Sequence, residues 1–149
     1  MARFLDRLDL LLMGRKKWMT HTQLRYESDV AKRTIVVPAE LVTNLASVPR
    51  LPLAYMLAGE RAPGPAVVHD YLYLRPDWGN RALADAVFLE AMAVDQPELG
   101  FEAELAPVRG LMWSAVRSFG WIPWRNHGKR NAALNPIWDR EGWPEVQTP

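Results

Sequence analysis

The segment Val67-Val-His-Asp-Tyr-Leu-Tyr73 constrains this chain most, because it sets a histidine, an aspartate and two tyrosines into an otherwise apolar run. Ala66 to Leu74 reads as a helix stopped by Arg75-Pro76. On that helix His69 and Tyr73 lie four residues apart and share a face, while Asp70 turns about a hundred degrees away. Such groups are costly to bury without partners, so the fold must bring a polar group to them. Asp85 is the candidate. It sits between Ala84 and Ala86 in a helix from Asn80 to Asp95, on a face otherwise made of Leu83, Phe88 and Met92. The short connection from Pro76 to Gly79 requires the two helices to run antiparallel, which sets Asp85 against His69 and Tyr73 across the seam.

The rest of the chain supplies a frame for that pair. Leu24 and Tyr26 alternate with polar neighbours, and Arg33-Thr-Ile-Val-Val37 is β-branched, with Glu27-Ser28-Asp29 as turn chemistry between them. A β-hairpin within Trp18 to Val37 is expected, ended by Pro38. Leu41 to Pro49 reads as a short strand or loop, with Ser47 capping a helix over 49–58. A linker over 60–65 follows, and Glu102 to Phe119 forms a further helix burying Leu105, Val108, Leu111, Met112, Ala115, Val116 and Phe119. The expected fold class is α+β, a mainly helical core with an N-terminal β-hairpin.

The two ends carry their own expectations. Phe4, Leu5, Leu8, Leu11 and Leu12 recur at helical spacing, so residues 1–17 read as an amphipathic helix stopped by Gly14 and the basic turn Arg15-Lys16-Lys17. Acidic residues break this stretch, so it does not read as a signal peptide, and no apolar run is long enough to span a bilayer. Residues 18–120 form a single core domain. Residues 121–149 hold Trp121, Trp124, Trp138 and Trp143 beside Pro123, Pro136, Pro144 and Pro149. They read as an extended arm that packs on its own domain or on a partner.

The chain has no cysteine, which excludes disulfides and thiolate metal sites and suits folding in a reducing cytoplasm. A net charge of +1 gives no basis for nucleic-acid binding, which would rest on Arg15-Lys16-Lys17 and on Arg125, Lys129 and Arg130 alone. His21 and His127 have no second ligand at metal spacing and are expected to face solvent. Ser47 has no histidine nearby in sequence and no nucleophile-elbow glycines, which argues against a serine hydrolase.

A carboxylate bonded to one imidazole nitrogen fixes the tautomer and frees the other nitrogen to take a proton. Asp85 and Tyr73 would support His69 in that role, and Asp70 could hold a hard cation such as calcium through oxygen. The cation would polarise an ester carbonyl while His69 activates water. The alternative is a buried His-Asp-Tyr cluster that only fixes how two helices dock.

His69-Asp70-x-x-Tyr73, followed on the next helix by Asp85, resembles the active-site pattern of secreted phospholipases A2, their bacterial members above all. That resemblance covers about residues 66–92 and implies His69 as base, Asp70 as calcium ligand, and Tyr73 and Asp85 as supports. The flanking disulfides and the glycine-rich calcium loop of those enzymes are missing. A second resemblance covers about residues 34–120: Val37-Pro38, Leu41-Val-Thr-Asn-Leu-Ala-Ser-Val-Pro-Arg50, Ala66 to Tyr73, Ala84-Asp-x-x-Phe-x-x-Ala-Met92 and Val116-Arg-Ser-Phe-Gly120 are similar to a family of uncharacterised proteins of tailed phages and prophages. The family usually has aspartate where this chain has Asn44, which marks Asn44 as a second metal-ligand candidate and lowers the charge there. Together these resemblances imply a tail-associated virion protein with a phospholipase-like hydrolytic site, or a structural tail or baseplate component without catalysis. Its expected partners are other virion proteins, met through the N-terminal helix and the C-terminal arm, and membrane phospholipid. It would be made in the host cytoplasm and carried in the phage particle.

Overall fold

The computed structural model describes residues 1–47, 64–94 and 102–145. The expected helix over 49–58 and most of the expected linker lie outside the described residues. The architecture is α+β. One three-stranded sheet joins β1 (Arg3–Phe4), β4 (Leu24–Ser28) and β5 (Arg33–Val37) in the order β1-β4-β5. A second joins β2 (Leu10–Gly14), β3 (Lys17–Thr20) and β6 (Val42–Thr43) in the order β2-β3-β6. All described pairs are antiparallel.

The hairpin β4–β5 forms where alternation and β-branching predict it, with Leu24 opposite Val37 and Ser28 opposite Arg33. Leu24, Tyr26 and Ser28 point inward and are buried. Trp18 to Thr20, which the sequence reading merged into this hairpin, is a separate strand in the second sheet.

The N-terminal segment is not a helix. Leucines at helical spacing also suit two short strands, and tertiary pairing decides between them. Asp6 accepts from the Arg25 guanidinium at 2.8 and 2.9 Å and from the Arg25 backbone N–H at 2.9 Å, while Asp9 accepts from His21 at 2.9 Å. These acids tie residues 1–14 to β4 and to His21 just after β3, and the Gly14–Lys17 region is a hairpin turn with Lys16 in the left-handed conformation, φ 59°. The first residues thus form β1, paired with β4, and β2, paired with β3.

Helix α1 (Gly64–Leu74) starts inside the expected linker and is buried along its entire length. A 3-10 turn (Pro76–Trp78) leads to α2 (Arg81–Val94), whose first turn is capped by Asn80 Oδ1 accepting from the Leu83 N–H at 2.8 Å. The buried stripe of α2 is Ala84, Val87, Phe88, Ala91 and Met92, with Asp85 among them. Helix α3 (Glu102–Phe119) buries Met112 and Val116 but exposes Leu111 and Phe119, so its inward face is narrower than expected.

The C-terminal stretch also departs from the reading of it as irregular. It forms α4 (Trp121–Arg125), α5 (His127–Leu134) and α6 (Pro136–Glu141). Pro123 and Pro136 fall in first turns, where no intrahelical donor is lost, so neither breaks its helix. Trp124, Trp138 and Trp143 pack on the molecule's own core. Trp124 meets Tyr73 edge-on at 5.1 Å and Trp143 meets Tyr71 at 6.0 Å. Asn131 donates to the Leu74 carbonyl at 2.9 Å, and Asn135 holds both the N–H and the C=O of Val42 at 2.9 Å. Among the described residues no helix is long and apolar enough to cross a membrane.

Candidate active site

Helices α1 and α2 bring His69, Tyr73 and Asp85 together. Asp85 Oδ1 accepts from His69 Nε2 at 2.8 Å and from the Tyr73 hydroxyl at 2.6 Å. Its other oxygen accepts from Arg117 Nη1 at 2.8 Å, with Arg81 Nη1 at 3.5 Å. The imidazole lies between Tyr73 and Phe88, ring centres 4.3 and 4.7 Å away. His69 and Asp85 are wholly buried.

That arrangement fixes protons. An ionised carboxylate only accepts, so Asp85 requires the hydrogen on Nε2 and leaves the lone pair on Nδ1. The group facing that lone pair is the Ser47 hydroxyl, 3.0 Å away. Burial pushes the imidazole below the ordinary histidine range, against the bond and charge of Asp85. His69 is therefore a neutral base near pH 7. Burial alone would raise Asp85, but bonds from His69, Tyr73 and Arg117 outweigh it and keep the carboxyl below its usual range.

Asp70, on the other side of α1, is equally buried and forms a second cluster. It accepts from the Thr43 hydroxyl, from the Ser47 backbone N–H at 3.2 Å and from Arg130 Nη2 at 2.5 Å. Burial would raise its carboxyl, but the Arg130 charge and these hydrogen bonds bring it below its usual range. The loop from Thr43 to Ser47 is thus a cradle for Asp70 that also delivers Ser47 to His69.

The calcium assignment does not fit these residues. Both Asp70 oxygens are engaged, and the cation beside them is the Arg130 guanidinium. Asn44, the other candidate ligand, accepts from the same Arg130 at 3.1 Å and from the Ala46 N–H at 3.1 Å. A divalent ion there would sit against a fixed positive charge. No group of three His, Asp or Glu among the described residues is arranged to hold a metal.

Several participants escaped the sequence reading. Ser47 has no histidine near it in sequence, yet it bonds one 22 residues away. Arg130, in sequence one of the basic residues beside Arg125 and Lys129, points inward with its side chain nine-tenths buried. Arg117 and Gly120 explain the motif at the end of α3: Arg117 neutralises Asp85, and a Cβ at Gly120 would collide with the Tyr73 hydroxyl and the Val116 carbonyl. The long-range motifs around Ser47 and Gly120 were the available signal. His21 is exposed, as expected, and His127 bonds the Trp124 carbonyl at 2.9 Å.

Fold and site together describe an α+β domain built around a buried histidine–carboxylate pair. Residues 18–116 match the family described as Protein of unknown function (DUF1353), and the chain belongs to that family. Neither the curated proteins nor the solved structures contain a match to it.

Proposed function

We propose that this domain hydrolyses a carboxylic ester and is carried by a tailed-phage particle, with His69 as general base. The observation behind it is the Asp85-oriented imidazole, whose unprotonated nitrogen faces a hydroxyl at 3.0 Å. Phospholipid is the substrate class suggested by the His69-Asp70-x-x-Tyr73 pattern, and the phage setting rests on the motif resemblance. The test is release of fatty acid from mixed phosphatidylcholine–phosphatidylglycerol vesicles, together with turnover of short p-nitrophenyl esters. His69→Ala should lower either rate by at least about a hundredfold. Equal rates in folded wild type and variant refute the reading.

A second reading is favoured by the burial. His69, Asp70 and Asp85 are each 0% exposed, and both acids are neutralised by arginines from α3 and α5. On that reading the network clamps the C-terminal helices to α1, and the domain is a virion scaffold. Its partners would be met through exposed apolar side chains such as Leu12 and Met13 on β2 and Phe119 and Trp121 beyond Arg117. Folded wild-type protein without turnover of any ester, combined with particles that fail to assemble when Leu12 and Met13 become lysine, is its expected result. Normal assembly by that variant refutes it.

A further inference from the structure

The nucleophile of the proposed centre need not be water. We infer that Ser47 attacks the substrate and forms a covalent acyl-enzyme, with Arg130 facing the developing oxyanion; the inference rests on the hydrolytic reading above. Four observations converge on it. The Ser47 hydroxyl is hydrogen-bonded to the one imidazole nitrogen that Asp85 leaves without a proton. This is the nucleophile–base–acid order that defines a triad by geometry, whatever the order in sequence. Second, the turn that presents Ser47 is strained: Leu45, a branched residue two positions earlier, is left-handed at φ 53° and wholly buried. Thr43 holds it there, accepting from the Leu45 N–H at 3.0 Å while donating to Asp70. Tertiary contacts thus do what glycines do in other nucleophile turns.

Third, Arg130 and the Ser47 N–H bond the same Asp70 oxygen, so the guanidinium lies beside the serine. Fourth, Arg130 Nε and Nη1 are buried and bond no group among the described residues. Buried N–H donors without partners are rare, and two on one cation next to a nucleophile suit an oxygen that becomes negative only during reaction.

The chemistry balances. Ser47 Oγ attacks the ester carbonyl carbon as its proton passes to His69 Nδ1, giving a tetrahedral oxyanion. Collapse breaks the bond to the leaving oxygen, which takes the proton from Nδ1 and departs as an alcohol. Water then attacks the acyl-serine, its proton passes to Nδ1 and on to Ser47 Oγ, and the carboxylic acid leaves. Asp85 keeps Nε2–H in place throughout and opposes the charge of the transient imidazolium. Tyr73 and Arg117 act through Asp85 as positioning residues.

A fluorophosphonate reports on the nucleophile independently of the natural substrate. Wild type, Ser47→Ala, Ser47→Cys and His69→Ala are each incubated with the probe and analysed by intact mass and peptide mapping, with p-nitrophenyl ester turnover measured in parallel. The expected result is one adduct per chain on the peptide carrying Ser47, absent in Ser47→Ala and slowed at least a hundredfold in His69→Ala. Ser47→Cys preserves a hydrogen-bonding group at this position and shifts labelling towards thiol reagents such as iodoacetamide. Turnover that persists in Ser47→Ala, with no adduct in wild type, overturns the inference while leaving a water-using hydrolase. Absence of both adduct and turnover in folded wild type overturns the inference and the hydrolytic reading together. An adduct at Ser47 without ester turnover upholds the nucleophile and refutes ester hydrolysis.

Discussion

Replacing Arg130 with methionine removes the charge that lets Asp70 stay ionised in a fully buried position. Breaking a buried pair by deleting one partner costs about 3–5 kcal/mol. An independent limit follows from the escape open to Asp70, which is to take a proton. At pH 7 that costs about 1.4 kcal/mol for each unit above an ordinary aspartate value near 3.9, or about 4 kcal/mol. The two figures agree. Methionine also eliminates two Arg130 donors that have no partner among the described residues, which moves the expected loss to about 3 kcal/mol. The sign of the pH dependence distinguishes this mechanism from simple loss of packing. In wild type Asp70 titrates below its ordinary range, so its contribution is present above about pH 4 and fades below. In Arg130→Met the carboxyl titrates above that range, so the penalty is largest at neutral pH and shrinks by about 1.4 kcal/mol per unit on acidification. Urea unfolding followed by tryptophan fluorescence, at pH 7 and pH 5, measures both quantities. Asp70→Asn introduced into Arg130→Met should recover most of the loss. A loss below about 1 kcal/mol, or one independent of pH, refutes the reasoning.

Gly120→Ala should destabilise by about 2 kcal/mol or more in urea unfolding, because the new methyl meets the Tyr73 hydroxyl and a helix carbonyl that cannot both move. Asp85→Asn should lower ester turnover at least about a hundredfold, since an amide no longer enforces the Nε2–H tautomer; the initial-rate ratio decides it. Wild-type stability should fall as pH drops below about 6.5, because burial holds His69 below that value and protonation favours the unfolded chain; the urea midpoint from pH 8 to pH 5 tests this. Removing divalent ions with EDTA should change neither the melting temperature nor the turnover, since Arg130 stands where calcium would; a loss of turnover restored by calcium contradicts the assignment.

The pairing of His69 with Asp85 was legible because it depends on local rules: a four-residue spacing, a short connection and an acid on an apolar face. The hairpin β4–β5 was legible for the same reason. The helical reading of residues 2–13 fails because their leucines satisfy two periods, and Asp6 and Asp9 are committed to Arg25 and His21, which only the fold brings near. The C-terminal helices are hidden in the sequence because proline breaks a helix interior but is tolerated in a first turn, where Pro136 falls. Ser47, Arg117 and Arg130 reach their partners across 22, 32 and 60 residues, and no spacing rule encodes such contacts.

The amide of Asn135 has a consequence for how this molecule can meet copies of itself. By occupying both polar groups of Val42, it terminates one margin of the β2-β3-β6 sheet as a further strand would. The opposite margin, β2, pairs with no further strand among the described residues, and the side chains of Leu12 and Met13 project beside it. A sheet that can grow from a single side can join one equivalent sheet and then stops. Antiparallel strand addition at β2 would join two copies about a two-fold axis, and the margin that Asn135 covers would not carry the sheet further.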